Sequence, residues 1–426
     1  MTQLTNQNPS SAGTGSSVAV QKCQVCGCAD LESTLFLGYI PPVNSMPDID
    51  KRPVEQPAYP AELLFCPKCK LVQIGCIVDP EVLFAHDYPY TSGTTGILHR
   101  NFTEMVEDCT NNVLKIGNDD LVVDIGSNDG TLLSKWKEVG YKVHGIEPTD
   151  KAQLAIENGI PSTQAFFTEE SASKVASEHG KAKVLTATNV FAHIEDVHSI
   201  VSAVLSLLDD DGVFINESHY LGSLLETLQY DTIYHEHLRY YSLHSMQYLL
   251  DLHGLEIINV KKIPTHGGSI RVYSARKGKY PVQDSVTQLL KEEADKGVNS
   301  REALDVFAKK VVESKLKLYS LLEKLKAEGA RVYAISAPSR ASTLVTYTGL
   351  DNGIIDCVVE IKGSHKIGKY MPGTIIPVLD EQKLFDDQPE YALLFAWHIG
   401  EELAGILRKH GFKGKFIIPL PEPYIV

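Results

Sequence analysis

The stretch LVVDIGSNDGTLLSKWKEVGYKVHGIEP, residues 121–148, decides the fold. Its first five residues are a short, largely β-branched run, which is typical of a buried parallel strand. Gly126 and Gly130 then permit a tight turn and a close approach of the backbone to a ligand. A helix follows, which Gly140 is placed to end, and the next strand finishes on Glu147. A carboxylate at that position can bind both hydroxyls of a ribose, so the stretch predicts a nucleoside site.

The turn lacks the GxGxxG spacing of dinucleotide-binding proteins, which weakens an NAD interpretation. A glycine-rich turn followed by an acid on the second strand is instead the pattern of class I S-adenosylmethionine (SAM) methyltransferases, whose ligand has no pyrophosphate. The segments KVLTATNVFAHIED and DGVFINESHY predict the fourth and fifth strands of the same α/β sheet. Because ligands bind at the carboxyl ends of such strands, the predicted SAM-binding residues are Asp124, Gly126, Asn128, Asp129, Glu147 and Asn189.

Two CxxC pairs stand near the N-terminus, CQVC and CPKC. Each pair suits a turn that directs two thiolates at one tetrahedral ion, and four thiolates close the coordination sphere of a structural zinc ion. A thioredoxin-like redox role is the alternative, but neither pair opens a helix after a buried strand. Cys28 and Cys76 are left over as ordinary cysteines or as competing ligands. The predicted zinc ligands are Cys23, Cys26, Cys66 and Cys69.

Length and charge limit the classes of function. A chain of 426 residues exceeds one ordinary core and predicts two or three domains. A formal net charge of −14 argues against a nucleic-acid partner, which requires a basic face. No apolar run approaches the roughly 20 residues of a membrane-spanning helix. The polar first residues predict a disordered tail and not a signal peptide, and the cysteines then favour the cytoplasm. The oligomeric state stays open, and a monomer is compatible with the sequence.

The segment DTIYHEHLRYYS, residues 231–242, follows the predicted fifth strand and is termed the catalytic segment below. A metal interpretation uses His235 and His237 and needs a further ligand such as His193. An acid–base interpretation needs one imidazole as proton acceptor, one carboxylate to orient it and a phenol near the developing oxyanion. A hydrated surface loop is the third alternative. We favour acid–base chemistry, because the CxxC pairs already provide a place for a metal.

The motifs together resemble one known family. In order, the chain contains CxxC…CxxC, DYPYTSGTTG, DIGSNDGT, NVFAHIED, YHEH, HGGSIRVYS and SAPSRASTLVTYTGL…KIGKYMPGTIIPV. This order resembles the sugar C-methyltransferases, which act on nucleotide-linked 4-keto-6-deoxy sugars. The resemblance implies that a base removes the proton next to the ketone and that the enolate is methylated from SAM. It implies a catalytic set of His237 as base, with Glu236, Tyr234, His193 and a tyrosine of DYPY, Tyr90 rather than Tyr88.

Two positions depart from the family pattern. Relatives often carry an aspartate where this chain has His235, which is therefore a competing base. The chain has APSR where APAK is more usual, so Arg340 stands in place of a lysine near the nucleotide phosphates.

The C-terminal half predicts a second Rossmann-like unit that starts at the strand RVYAISAP. This unit lacks a GxGxxG turn and a clear second-strand acid, so no second SAM or NAD is assigned to it. The start of the helix near Ser339 can hold an anion such as a diphosphate. The residue Lys366 is a further candidate, with a surface loop as its alternative. The predicted substrate-binding residues are Tyr88, Ser269, Arg271, Ser339, Arg340, Lys369 and Tyr370.

The sequence therefore predicts an α/β protein with a class I SAM methyltransferase Rossmann-like core, a small N-terminal zinc-binding domain and a second, C-terminal Rossmann-like α/β domain. The predicted boundaries are a tail over 1–19, the zinc-binding domain over 20–85, the methyltransferase domain over 86–280 and the nucleotide-sugar-binding domain over 281–426. The predicted function is SAM-dependent C-methylation of a small-molecule nucleotide sugar. The alternatives are O- or N-methylation of another small metabolite, and a zinc-containing binding or scaffold protein with a vestigial SAM pocket.

Overall fold

The computed structural model describes residues 17–51, 55–83, 93 and 96–426. Tyr88 and Tyr90 lie outside the described residues, so their predicted roles stay predictions. The strands within the described ranges form four sheets, two of them with seven strands each.

The N-terminal part is built from short antiparallel strands. Its elements are β1 (Ser17–Ala19), β2 (Glu32–Ile40), β3 (Tyr59–Phe65), β4 (Val72–Ile74), β5 (Cys76–Val78) and α1 (Pro80–Leu83). Strands β2, β3 and β4 form one sheet, and the segment Arg239–Tyr240 adds to its edge beside β4. Since that segment belongs to the catalytic segment, the N-terminal sheet and the predicted active site are joined by backbone pairing.

The middle part is a seven-stranded, doubly wound sheet. Its elements are α2 (Gly96–Asp108), a π-helical turn (Cys109–Val113), β6 (Leu121–Ile125), α3 (Thr131–Glu138), β7 (Lys142–Glu147), α4 (Lys151–Glu157), β8 (Ser162–Gln164), α5 (Glu169–His179), β9 (Ala182–Thr188), α6 (Val197–Leu207), β10 (Leu208–His219), α7 (Leu221–Glu226), a 3₁₀ turn (Tyr230–Thr232), β11 (Arg239–Tyr240), α8 (Leu243–Leu252), β12 (Leu255–Ile263), a 3₁₀ turn (Thr265–Gly267) and β13 (Ser269–Arg276). The strand order is β12-β13-β10-β9-β6-β7-β8, and β13 is antiparallel to its neighbours.

The apolar strands β6, β9 and β10 lie at the centre of this sheet because helices cover both of its faces. Val123, Leu185 and Phe214 are fully buried there. The predicted first, second, fourth and fifth strands correspond to β6, β7, β9 and β10. Their carboxyl ends meet at one edge, which is where the predicted SAM site and the catalytic segment come together.

The C-terminal part contains a second parallel sheet. Its elements are α9 (Asp284–Asp295), α10 (Arg301–Ala327), β14 (Val332–Ile335), α11 (Ser339–Thr348), β15 (Cys357–Glu360), β16 (Lys369–Tyr370), β17 (Pro377–Asp380), α12 (Gln382–Asp387), β18 (Tyr391–Leu394), a 3₁₀ turn (Trp397–Ile399), α13 (Gly400–Lys409), β19 (Lys415–Ile418) and β20 (Tyr424–Ile425). The strand order is β16-β17-β15-β14-β18-β19-β20. The five central strands are parallel, and the order reverses on the two sides of β14, so a crevice lies at that point.

The three parts pack against one another. Strand β2 contacts α10 and α11, and one apolar core includes Leu37 of β2, Leu318 of α10 and Leu344 of α11. Helix α9 packs on β12 and α8. We therefore propose to place the boundary between the middle and C-terminal domains after α9, instead of at residue 280. In the described part of the chain, no helix has the length and apolar character to cross a membrane.

Candidate active site and zinc centre

The two CxxC pairs converge on one point. The sulfur atoms of Cys23, Cys26, Cys66 and Cys69 all lie within 4.8 Å of one another. The closest are 3.4 Å apart, Cys23 Sγ to Cys69 Sγ and Cys26 Sγ to Cys66 Sγ. Four convergent thiols are the donor set of a closed tetrahedral zinc site, so the residues fit a structural ion. Cys28 and Cys76 lie outside this cluster.

The glycine turn approaches its neighbours too closely for a side chain at its first position. Gly126 has φ of +67°, and a Cβ there would lie 2.9 Å from Val190 Cγ2. Asn128 also has a positive φ of 50° and donates its N–H to Glu147 Oε2 at 2.9 Å. Thr149 donates its N–H and its hydroxyl to Glu147 Oε1 at 2.9 and 2.7 Å. The Glu147 carboxylate is therefore fixed at the end of β7, as a ribose acceptor requires.

Three other predicted SAM-binding residues have protein partners in the same region. Asp124 is buried and accepts from Thr186 Oγ1 at 2.6 Å, and burial raises its pKa to about 8. Asp129 accepts from the N–H of Gly93 at 2.9 Å. Asn189, with φ of 58°, donates its N–H to the carbonyl of Glu217 at 2.8 Å. These contacts shape the turn and the strand ends, and a direct contact of any of the three with SAM stays a prediction.

His237 is oriented by a backbone carbonyl. Its Nδ1 lies 2.8 Å from the carbonyl oxygen of Thr232. Because a carbonyl oxygen only accepts, Nδ1 carries the proton and Nε2 of the neutral ring carries the lone pair. Burial holds the pKa of His237 well below its usual value, so the ring is neutral at physiological pH. The side chain is therefore prepared to accept a proton at Nε2.

Two aromatic side chains lie beside this imidazole. The ring of Tyr234 is tilted by 33° to the His237 ring, with centroids 4.2 Å apart. The ring of His193 lies 5.1 Å from the His237 ring, and burial lowers the pKa of His193 to about 4. A small cavity of about 30 Å³ is lined by Asn189, Ala192, His193, Ser218, His219, His237, Arg239, Tyr240 and Tyr241. The cavity thus connects the ends of β9 and β10 with the catalytic segment.

Glu236 faces away from His237, the imidazole that it was predicted to orient. Its Oε1 accepts from Asn44 Nδ2 at 2.8 Å, and Asn44 Oδ1 accepts from the hydroxyl of Ser339 at 3.1 Å. The carboxylate predicted to orient His237 is therefore replaced in that role by the Thr232 carbonyl. Burial raises the pKa of Glu236 to about 7, although the Asn44 hydrogen bond and the charge of Lys366 favour its ionised form.

His235 also points away from the cavity. Its Nε2 bonds to the carbonyl of Pro60 at 3.1 Å, and its ring lies 5.8 Å from that of Tyr59. Both contacts are with strand β3 of the N-terminal sheet. The catalytic segment turns at this point, since His237 donates its N–H to the carbonyl of Tyr234 at 2.9 Å, and His235 and His237 therefore point in different directions. Within the described ranges, the cysteine tetrad is the group that could hold a metal, and neither His235 nor His237 belongs to such a group.

The predicted substrate-binding arginines both form buried ion pairs. Arg271 donates to Glu217 and to Glu104, at 2.6 Å in each case. Arg340 donates to Asp231 and stacks on the ring of Trp397, 5.0 Å from its centroid. Both arginines therefore hold protein carboxylates, and their predicted contact with substrate stays untested.

The other predicted substrate-binding residues are distributed over two regions. Ser269 donates its hydroxyl to the carbonyl of Thr265 at 3.1 Å and is paired with His219 at the carboxyl end of β10. Lys369 and Tyr370 form β16, where Tyr370 Oη lies 3.3 Å from the carbonyl of Ile49. Lys366 donates to the carbonyl of Ala337 at 2.5 Å. Burial lowers the pKa of Lys366 even though two carboxylates attract it.

Sequence reasoning missed several side chains of the site. Asn44 lies in PPVNSMP, a loop without a recognisable motif, and His219 is the last residue of β10. His219 bonds to Gln229 Oε1 at 3.1 Å, and burial lowers its pKa to about 3. Only His219 had a detectable signal, since it stands at the carboxyl end of a predicted strand.

Comparison with known proteins covers almost the whole chain. Three family descriptions match successive parts of it: "Putative zinc binding domain" over residues 23–84, "Methyltransferase domain" over 97–260 and "C-methyltransferase C-terminal domain" over 264–421. The C-methyltransferase NovU of Streptomyces niveus is 30% identical over 410 residues, which are 96% of this chain and 97% of NovU.

Solved structures match less than half of the chain. The magnesium protoporphyrin IX methyltransferase of Synechocystis PCC 6803 with bound SAM is 15% identical, with a TM-score of 0.33, and covers 45% of this chain and 89% of its own. A SAM-dependent methyltransferase of Anabaena variabilis is 16% identical, also with a TM-score of 0.33, and covers 41% of this chain and 84% of its own.

The fold, the glycine turn with Glu147 and the cysteine tetrad define a class I SAM methyltransferase that carries a zinc-binding module. It is a SAM-dependent C-methyltransferase, which transfers the methyl group to carbon. The chain belongs to the C-methyltransferase family that combines an N-terminal zinc-binding domain with a C-terminal C-methyltransferase domain. The predicted family, fold class and cofactors, SAM and structural zinc, are confirmed.

Proposed function

We propose that the protein methylates the carbon next to the ketone of a nucleotide-linked 4-keto-6-deoxy sugar. The observation that carries this proposal is the hydrogen bond from His237 Nδ1 to the Thr232 carbonyl, because it leaves Nε2 as the proton acceptor of a half-buried, neutral imidazole. Attack of carbon on the SAM methyl group requires a carbon nucleophile. Removal of a proton from the carbon next to a ketone provides one, because the ketone stabilises the resulting enolate. Histidine is the usual proton acceptor in such sites.

His237 acts as the general base in this scheme. A low pKa keeps Nε2 unprotonated but also makes it a weak base, so the enolate must be stabilised as the proton leaves. The Tyr234 ring stacks on the base, and its hydroxyl is the donor proposed for the enolate oxygen. The ring of His193 packs against the His237 ring and helps to hold His237 in place. Fixed donors in a site without bulk water often supply the largest part of catalysis.

The cofactor site lies against the same cavity. Gly126, Asn128 and Glu147 would hold the nucleoside part of SAM, and Asn189 reaches both the strand ends and the cavity. Bound SAM supplies the electrophilic methyl group. The task of the protein is to direct the substrate carbon toward that group and to exclude water, which the burial of Tyr234, Glu236 and Tyr240 supports.

The nucleotide part of the substrate would occupy the crevice of the C-terminal sheet. Ser339 and Lys366 lie there, and Ser339 is connected through Asn44 to Glu236 of the catalytic segment. A nucleotide in this crevice would therefore bring its sugar to the catalytic segment. Lys366 is the proposed partner of the diphosphate, since its half-buried ammonium is a compact point charge.

The test is a panel of nucleotide-linked 4-keto-6-deoxy sugars incubated with SAM and followed by mass spectrometry. We expect one substrate to gain a single methyl group, and we expect it to exchange a C–H proton for deuterium in heavy water with S-adenosylhomocysteine (SAH) in place of SAM. Methyl transfer without any exchange at that carbon would contradict the proposed mechanism. Transfer only to sugars without a nucleotide would contradict the proposed substrate class.

A further inference from the structure

The C-terminal sheet repeats the backbone geometry of the SAM site. In the middle sheet, Ile125 at the end of β6 is paired with Ile146 of β7. In the C-terminal sheet, Ile335 at the end of β14 is paired with Val359 of β15. In both sheets the next strand residue is a glutamate, Glu147 in one and Glu360 in the other.

The residues that directly follow β6 and β14 also have the same backbone conformation and the same hydrogen bond. Gly126 has φ of +67° and donates its N–H to the carbonyl of Ile146 at 2.8 Å. Ser336 has φ of 69° and donates its N–H to the carbonyl of Val359 at 2.8 Å. Glycine adopts this left-handed conformation without strain, whereas a serine there is unusual. Such residues collect at ligand sites, where the surrounding structure maintains them.

Both glutamates accept a backbone N–H from the turn, Glu147 from the third residue after β6 and Glu360 from the second residue after β14. Glu147 Oε2 accepts the N–H of Asn128 at 2.9 Å, and Glu360 Oε1 accepts the N–H of Ala337 at 2.6 Å. The sequence-based statement that the C-terminal sheet lacks a second-strand acid is therefore wrong. Among the residues that the structure describes, no hydrogen-bond donor to Glu360 Oε2 is found, and the side chain is half-buried. Its second oxygen is available to a ligand.

A half-buried cation, Lys366, lies between this carboxylate and the catalytic segment. The Lys366 ammonium donates to the carbonyl of Ala337, whose N–H is bound by Glu360. Lys366 is attracted electrostatically by Glu360 on one side and by Glu236 on the other. A ligand that binds Glu360 through hydroxyl groups and continues past Lys366 would therefore extend toward the catalytic segment.

We infer that Glu360 accepts hydrogen bonds from the pentose hydroxyls of the substrate's nucleoside, in the crevice at the carboxyl ends of β14 and β15. This inference rests on the proposed function, which requires a nucleotide-linked substrate. The turn over residues 336–338 is shorter than a GxGxxG loop, so it suits a mononucleotide better than a dinucleotide. The middle sheet already contains the SAM site, so the repeated geometry serves the other nucleoside of the reaction.

Calorimetry with nucleoside diphosphates tests this inference on the zinc-loaded, full-length protein. A panel of uridine, guanosine, cytidine and thymidine diphosphates identifies the tightest ligand. We expect Glu360→Gln, which keeps an acceptor for the Ala337 N–H, to weaken that ligand at least tenfold and to leave SAH affinity unchanged. Glu147→Gln should do the reverse. Glu328→Gln, at an exposed glutamate that precedes β14 and so lies at the opposite edge of the sheet, is the matched control and should change neither affinity.

A ligand series makes the test independent of how the variants fold. The 2′,3′-dideoxy form of the same diphosphate lacks the pentose hydroxyls, so it should bind the wild-type protein at least tenfold more weakly. Equal affinity of the two forms for wild type, or unchanged affinity in Glu360→Gln, would overturn the inference even if nucleotide sugars are methylated. If no nucleoside diphosphate binds and no nucleotide-linked sugar gains a methyl group, the proposed function fails together with the inference.

Discussion

Arg340 binds the carboxylate of Asp231 through two hydrogen bonds, 2.7 Å from Nε and 2.8 Å from Nη2, although 109 positions separate the two residues. Trp397 donates its indole N–H to the same carboxylate at 2.8 Å. From the same helix as Arg340, Thr343 donates its hydroxyl to the carbonyl of Ile233 at 3.2 Å. The C-terminal domain therefore fixes the beginning of the segment that carries His237.

Replacement of Arg340 by methionine should leave Asp231 buried without its cationic partner. Loss of one partner of a buried pair costs about 3–5 kcal/mol of unfolding free energy. Because the catalytic segment would lose its anchor, we expect kcat to fall at least tenfold while KM changes little. Chemical denaturation and steady-state kinetics measure both effects.

Arg331→Met is the matched control for this substitution. Arg331 pairs with Glu390 on the surface of the same domain, where the side chains are 45% and 49% exposed. Exposed pairs contribute about 0–1 kcal/mol, so the control should remain near wild type. A large rise in KM for the nucleotide substrate with unchanged kcat would instead show that Arg340 contacts phosphate.

Replacement of His237 by glutamine should remove the proton acceptor without emptying its place. We expect turnover to fall by about 10²–10⁴, the usual contribution of a general base, and SAH affinity to stay within twofold. Deuterium exchange at the sugar carbon should fall in parallel. His235→Gln is the control, because His235 faces Pro60 and not the cavity. Greater loss of exchange in that variant would transfer the role of base to His235.

Glu236 should make folding stability depend on pH. Burial raises its pKa from 4.5 to about 7, so the folded protein holds this proton more tightly than the unfolded chain. Its contribution is therefore complete below pH 4.5 and is lost as the pH rises to about 7. The difference of 2.5 units corresponds to at most about 3 kcal/mol. Unfolding curves from pH 4.5 to 8 should show Glu236→Gln gaining stability relative to wild type as the pH rises. Parallel curves would exclude a raised pKa.

Loss of zinc should lower the folding stability of the protein, and any effect on catalysis should follow from that loss of stability. Elemental analysis should give one zinc ion per chain, and Cys66→Ser should lower the Tm and release the ion, because a closed site contributes directly to folding. Since β11 pairs with β4, the catalytic segment would be loosened too. Cys76→Ser is the control, because Cys76 lies outside the tetrad. Full zinc content in Cys66→Ser would contradict the assignment.

The sequence predicted the parts of the molecule that depend on local pattern. The largely apolar runs at residues 121–125 and 332–335 became strands β6 and β14, and the CxxC spacing led to the cysteine tetrad. What it missed are partners determined by tertiary packing. The carbonyl that orients His237 belongs to Thr232, which carries no side-chain signal for that role. Glu360 was overlooked because its turn has serine where the SAM site has glycine.

Asn44 offers the sharpest test of how the N-terminal domain contributes to the site. Its amide bridges Glu236 and Ser339, so it joins the zinc-binding module, the catalytic segment and helix α11. Asn44→Ala leaves a buried carboxyl without its donor, which costs about 1–3 kcal/mol. We expect kcat/KM for the nucleotide sugar to fall about tenfold or more, with SAH affinity and zinc content unchanged. Asn158→Ala, at an exposed asparagine, should remain at wild-type activity. Wild-type kinetics in Asn44→Ala would mean that the N-terminal domain does not participate in the site through this contact.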